Sequence, residues 1–274
     1  MTICIASMCE GGRQVVVAAD RMFTVGPPLN VEFEPPLTKI DPVGSRCVIL
    51  SSGNSLYGHE VVSRTRSKFE HGKTVSVTLV GAALQAEYAR FRDEVVEQNL
   101  IRATFGNDFE IFKQRGGFLP AYLQAQPGIY QGIVAQTSQY NITLDFIASG
   151  VDTAGGHIFY VGHPGVLLNF DKLGHTAIGS GAVHAVVGLS LNKQTPQSSL
   201  METLYAVYAA KRSAEVAPGV GADTEMAIIS DEGIWNCNDA IIEALSAQHA
   251  EQVQKQKPDL TKVKEVYNGQ RKTG

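Results

Sequence analysis

The sequence predicts an α+β domain of layered helices and sheets, on three observations. Apolar β-branched runs bounded by turn chemistry recur along the chain, as buried strands require. Between them lie stretches whose apolar residues recur at helical spacing. The order is strands, two helices, strands, two helices, strands, which fits one domain, residues 1–274.

Taken in order, Thr2 to Cys9 alternates and then runs apolar, Glu10-Gly11-Gly12-Arg13 is a turn, and Gln14 to Ala19 contains VVVAA, too apolar for a solvated edge. These read as an N-terminal hairpin buried in a sheet. A loop holding Pro27, Pro28, Pro35 and Pro36 leads through Lys39-Ile40 to CVILSSG, a third strand ending at Ser51-Ser52-Gly53. From Asn54 to about His71, Leu56, Val61, Val62 and Phe69 mark an amphipathic helix on that sheet, and a second helix is expected over about Ala82 to Arg102. Residues 107–140 are interrupted by Gly116-Gly117, Pro120, Pro127-Gly128 and Gly132, so an elaborated segment of about 103–140 is expected to be a long loop or a lid. NITLDFIAS and HIFYV, parted by a turn over Gly150 to Gly156, and then VLLNF suggest a second antiparallel sheet. Helices over Ala182 to Leu191 and Ser198 to Glu215 precede the strands TEMAIIS and IWNC. From about Asn238 the chain is helical and then polar, with a tail of about 255–274 expected to be solvated or frayed.

Bulk composition narrows the function. With 274 residues and 44% hydrophobic content, the chain can bury an enzyme-sized core. A net charge of −4 supplies no basic field for nucleic acid or an anionic membrane, which leaves small molecules or peptides as partners. The start lacks the basic and apolar regions of a secretory signal, and no stretch is long enough to span a bilayer, so a cytoplasmic protein is expected. Cys4, Cys9, Cys47 and Cys237 have no CxxC spacing and read as buried free thiols. His157, His163, His175 and His184 lack paired ligand spacing, Gly179 to His184 is not GxGxxG, and no Gly-x-Ser-x-Gly elbow exists. No metal or organic cofactor is expected.

Position 2 carries the sharper signal. Threonine is small enough for methionine aminopeptidase to expose, which would put a hydroxyl nucleophile and a free α-amine on one residue. Such an amine, with an ordinary pKa of about 7.7–8.0, can act as general base without a histidine. A threonine after an initiator methionine is common, so the reading depends on the residues around it.

The run Thr2…VVVAADRMFT…LTKI…LSSG resembles, in order and approximate spacing, the catalytic β-type subunits of the proteasome family. Downstream, HIFYVGHPG, TAIGSGAVHA and TEMAIISDEGI resemble that family's hairpin, its Gly-Ser-Gly helix start and its closing hairpin. The likeness covers most of the chain apart from about 103–140 and the C-terminal tail, and AADR and AIGSG are its most specific parts. It implies a four-layer αββα sandwich of two antiparallel sheets flanked by helices, the N-terminal-nucleophile hydrolase fold, with Thr2 the nucleophile of a threonine-type peptidase. Carried over residue by residue, Asp20 is the orienting carboxylate, Lys39 the ammonium beside the hydroxyl, and Ser180 the serine near the amine. Gly53 is the glycine whose N–H faces the oxyanion, while Thr24 and Ser51 line the peptide cleft. The family also implies a homo-oligomeric ring around a chamber fed with peptide or unfolded protein; the sequence names no ATPase partner.

Two departures matter. Where the family carries Arg-Asp-x-x-Ser-Gly, this chain reads Ser213-Ala214-Glu215-Val216-Ala217-Pro218-Gly219, so Glu215 is the candidate replacement for the aspartate and Pro218 offers no hydroxyl. Met22 stands where the family often has arginine. They motivate one alternative, a non-catalytic structural or assembly subunit of the same fold. A second alternative keeps Thr2 but hydrolyses a small amide, with 103–140 as its lid.

Overall fold

The apolar runs of the sequence become the strands. In this computed structural model, which describes residues 2–25, 31–34, 38–103, 106, 127–255 and 260–272, they are β1 (Ile3–Cys9), β2 (Gln14–Asp20), β3 (Phe23–Val25), β4 (Val31–Phe33), β5 (Ile40–Pro42) and β6 (Cys47–Gly53). Helices α1 (Ser55–Arg66) and α2 (Val77–Val96) follow, then a π-helical extension, Glu97–Arg102, and α3 (Pro127–Gln139). Next come β7 (Leu144–Asp152), β8 (Gly155–Gly162), β9 (Val166–Asn169) and β10 (His175–Gly179), then α4 (Ala182–Leu191) and α5 (Leu200–Ala214). β11 (Thr224–Ser230), β12 (Gly233–Asn236), α6 (Asp239–Lys255) and α7 (Thr261–Lys272) complete the order.

The strands form two five-stranded antiparallel sheets, β10-β1-β2-β11-β12 and β5-β6-β7-β8-β9, beside a β3–β4 ribbon. The sheets pack on each other; α1 and α2 lie on the second, and α4 and α5 lie on the first. Alternation along the strands explains why their sequences read apolar throughout. Val48 and Leu50 of β6 join Cys4, Ala6 and Val17 in the core between the sheets, whereas Cys47 and Ile49 pack toward Val61, Leu84 and Phe91 of the helices. Both faces of each sheet are covered.

The sequence assigned CVILSSG to the sheet of the N-terminal hairpin. It pairs instead with β7, Leu50 opposite Ile147, and so belongs to the facing sheet, with α1 packed on it. Strand periodicity reports burial on both faces but not which neighbour supplies the hydrogen bonds. Expected to start near Ala82, α2 starts at Val77, whose N–H donates to Asp152 Oδ2 at 3.0 Å; a carboxylate 75 residues away caps the helix. The turn expected over Gly150 to Gly156 shrinks to Thr153-Ala154, because β7 runs on to Asp152. α3 arises in a stretch read as broken by Pro127-Gly128 and Gly132. Proline at the first helical position loses no hydrogen bond, Ile133 and Thr137 are buried, and Arg92 Nε caps the far end by donating to Tyr140 O at 3.1 Å. The remainder of the suggested loop or lid, residues 107–126, and most of the proline-rich loop lie outside the described residues.

The chain divides into two compact units, Met1–Cys237 and Asn238–Gly274. The second holds α6 and α7, so the stretch expected to be a frayed tail carries a helix, Thr261–Lys272, exposed at each residue whose burial is described. Cys4, Cys9 and Cys47 are buried free thiols, whereas Cys237 is only half-buried. No helix among the described residues is long and apolar enough to cross a membrane.

Candidate active site

Antiparallel pairing brings the singled-out residues to one end of the two sheets. Thr2 immediately precedes β1 and Asp20 ends β2; because Cys4 pairs with Ala19, the start of one strand lies beside the end of the other. Lys39 immediately precedes β5 and Gly53 ends β6 in the facing sheet, with Ile40 opposite Leu50. Thr2, Asp20 and Lys39 are all buried, at 3%, 0% and 5% exposure.

Their polar atoms meet at one carboxylate oxygen. Asp20 Oδ1 accepts from Thr2 Oγ1, from Lys39 Nζ at 2.7 Å and from Ile3 N at 3.1 Å. Lys39 Nζ also donates to Thr2 Oγ1, closing a triangle of hydroxyl, ammonium and carboxylate. The other oxygen, Asp20 Oδ2, accepts from Gly221 N at 2.8 Å. Each group answers a need of the others. The ammonium can stabilise negative charge on the threonine oxygen, and the carboxylate compensates the ammonium where water is scarce. The Phe23 ring, 5.4 Å from Lys39 Nζ, adds a cation–π contact on the same side.

Ser180 Oγ donates to Thr2 O at 3.4 Å and to Pro218 O at 3.0 Å. Pro218 therefore contributes a backbone carbonyl at the place where a side-chain hydroxyl was missed. Glu215 stands apart from the triangle. It caps the C-terminus of α5, and its Oε1 accepts from Lys211 Nζ at 2.7 Å and Arg212 Nη1 at 3.0 Å. Lys211 in turn donates to Gly221 O at 2.9 Å and Ala222 O at 2.7 Å. Glu215 is thus a positioning residue, fixing the segment that offers Gly221 N to Asp20, and it does not touch Thr2.

Gly53 has φ +107°, and a Cβ there would sit 1.9 Å from Thr143 O. Glycine at this place is demanded by the β6–β7 backbone itself, whatever its amide faces. Ser51 lines a pocket of about 240 Å³ that opens beside Thr2, Lys39 and Gly53. Asp41 and His59 also line it, with Met22 and Phe23 as apolar wall. Burial raises the Asp41 carboxyl above the ordinary carboxylate range, against the opposing pull of Arg66 and His59. Thr24 lies in β3 opposite Glu32, in the ribbon that begins at the same wall. Cys4 Sγ is 3.4 Å from Ser51 O, but burial pushes its thiol up to about 12, so it offers no competing thiolate.

The sequence reading did not find Gly221, Lys211, Asp41 or His59. Gly221 acts through its backbone N–H, which any residue type has. Lys211 carried a signal, a lysine four residues before Glu215 within the apolar YAVYAAKR run, where a charge without a partner would not be buried. Among the described residues no group of three or more His, Cys, Asp or Glu side chains is placed to hold a metal ion. Neither a family model nor a curated protein matches this sequence.

Proposed function

We propose that the protein is a threonine-type peptidase of the N-terminal-nucleophile hydrolase fold, proteasome-like, with Thr2 as nucleophile. The observation that carries the reading is the buried contact of one threonine hydroxyl with both Lys39 Nζ and Asp20 Oδ1, at the mouth of a pocket. The pair of facing sheets with helices outside each fits the four-layer αββα order of that fold.

On this reading the peptide bond before Thr2 is first cleaved, which frees its α-amine. The amine takes the hydroxyl proton as Thr2 Oγ1 attacks a peptide carbonyl, and Lys39 stabilises the oxygen while it carries negative charge. Gly53 N–H faces the oxyanion of the tetrahedral intermediate, whose collapse forms a threonine ester and releases the new amine with the proton. Water, deprotonated by the same α-amine, attacks the ester, regenerates the hydroxyl and releases the new carboxylate. Asp20 holds the ammonium throughout, and Ser180 fixes the Thr2 carbonyl. No cofactor takes part. The enzyme would work in the cytoplasm as a homo-oligomeric ring, with its sites enclosed.

The test compares fluorogenic peptides with small amides, using Thr2→Ala as the blank and solution size as a second readout. Peptide turnover that vanishes in the variant, from a large homo-oligomer, is expected. Turnover of small amides alone would favour the small-amide alternative, and turnover equal in both proteins would remove Thr2 from the chemistry. An active monomer would contradict the ring.

A further inference from the structure

The pocket next to Thr2 has a chemical preference written into its wall. Its volume of about 240 Å³ lies below the roughly 300–1,000 Å³ of pockets for whole small-molecule ligands, a size suited to one side chain. Ser51, Ser52 and Ser55 are among its lining residues, and Met22 and Phe23 are its large apolar ones. Two ionisable groups besides Lys39 face it, Asp41 from β5 and His59 from α1. Lys39 is already taken up by Asp20 at 2.7 Å. Asp41 is half-buried, and among the described residues no hydrogen bond or ion pair holds its carboxylate. Arg66 and His59 of α1, which oppose the rise of the Asp41 carboxyl, are exposed, so water screens their pull. Glu225, from the facing sheet, adds negative potential, offset by Arg21 Nη2 at 3.5 Å from its Oε1; among the described residues its Oε2 is buried without a hydrogen-bond partner.

A half-buried carboxylate that no described residue hydrogen-bonds, and whose opposite charges on α1 are exposed to water, has room for a donor cation. An apolar side chain filling the pocket would strand that charge, and an acidic one would repel it. A lysine or arginine satisfies both walls, laying its methylene stem along Met22 and Phe23 and its charged head on Asp41. Resting on the peptidase reading above, we infer that this pocket selects a basic side chain on the residue whose carbonyl Thr2 attacks, and that Asp41 is the specificity-determining residue.

The experiment uses peptide electrophiles identical except for arginine, lysine, leucine or glutamate at that residue, with the rate of adduct formation on the intact full-length protein read by mass spectrometry. Arginine and lysine are expected to react about 10–100-fold faster than leucine, the span of a charge-assisted hydrogen bond. Asp41→Asn should collapse that ratio. In the wild type the ratio should also fall as pH drops through the raised Asp41 titration. Because the nucleophile's own titration affects every probe alike, the ratio isolates the pocket. Adducts that form with leucine or glutamate as fast as with arginine would overturn the inference and leave the peptidase reading standing. No Thr2 adduct with any probe would overturn both.

Discussion

Lys39 Nζ lies 2.7 Å from Asp20 Oδ1, and both side chains are almost wholly removed from water. A buried pair of this kind is weak evidence for stability by itself, but removing one partner leaves the other charge uncompensated at a cost of about 3–5 kcal/mol. Lys39→Met is expected to fall at the lower end of that span, because Ile3 N and Gly221 N still donate to Asp20. Denaturant titration measures it; a midpoint equal to wild type would show that the pair contributes nothing to folding.

Gly53→Ala is expected to damage the fold before it damages chemistry. The φ of +107° and the Thr143 carbonyl 1.9 Å from a built Cβ both oppose any side chain, so a loss of more than about 1 kcal/mol is predicted. Chemical denaturation of the purified variant checks this, and unchanged stability would mean that the β6–β7 backbone relaxes freely.

Lys211 makes a pH-dependent contribution. Burial lowers its ammonium below the ordinary 10.5. Between the lowered value and 10.5 the unfolded chain therefore binds more protons, and stability rises with pH. This contribution is complete above 10.5 and is lost as pH falls through the lowered value. Wild type minus Lys211→Met stability should widen as alkaline pH is approached, starting from a difference of about 2–3 kcal/mol for the bonds to Glu215, Gly221 O and Ala222 O. A flat difference would contradict the assignment.

Ser199 caps α5 with a full capping box, its side chain accepting from Glu202 N while Glu202 reaches back to Ser199 N at 2.9 Å. Ser199→Ala should cost about 1 kcal/mol. Thermal or denaturant unfolding would read the change, and no loss would mean that water replaces the cap.

The triangle was legible through the family resemblance of Thr2…VVVAADRMFT…LTKI, which singled out Asp20 and Lys39 beside Thr2; strand patterning alone marked only the apolar runs after Thr2 and before Asp20. The bounds of α4 and β11 were equally plain, since Gly181 precedes one and turn residues flank the other. Sheet membership of β6 was not, because a strand covered on both faces carries no mark of its partner. Nor was the Asp20–Gly221 bond, which joins residues 201 apart through a backbone amide. The place of Asp41 appears only in three dimensions: folding sets it on the wall of the pocket beside Thr2, where among the described residues no hydrogen bond or ion pair holds its carboxylate.

The most direct measurement of the central claim is the intact mass and N-terminal residue of the protein before and after reaction with a threonine-directed electrophile. The account predicts a polypeptide beginning at Thr2 that gains one adduct on that residue, and no adduct on Thr2→Ala. A residue still attached ahead of Thr2, or an unmodified Thr2 after reaction, would contradict it.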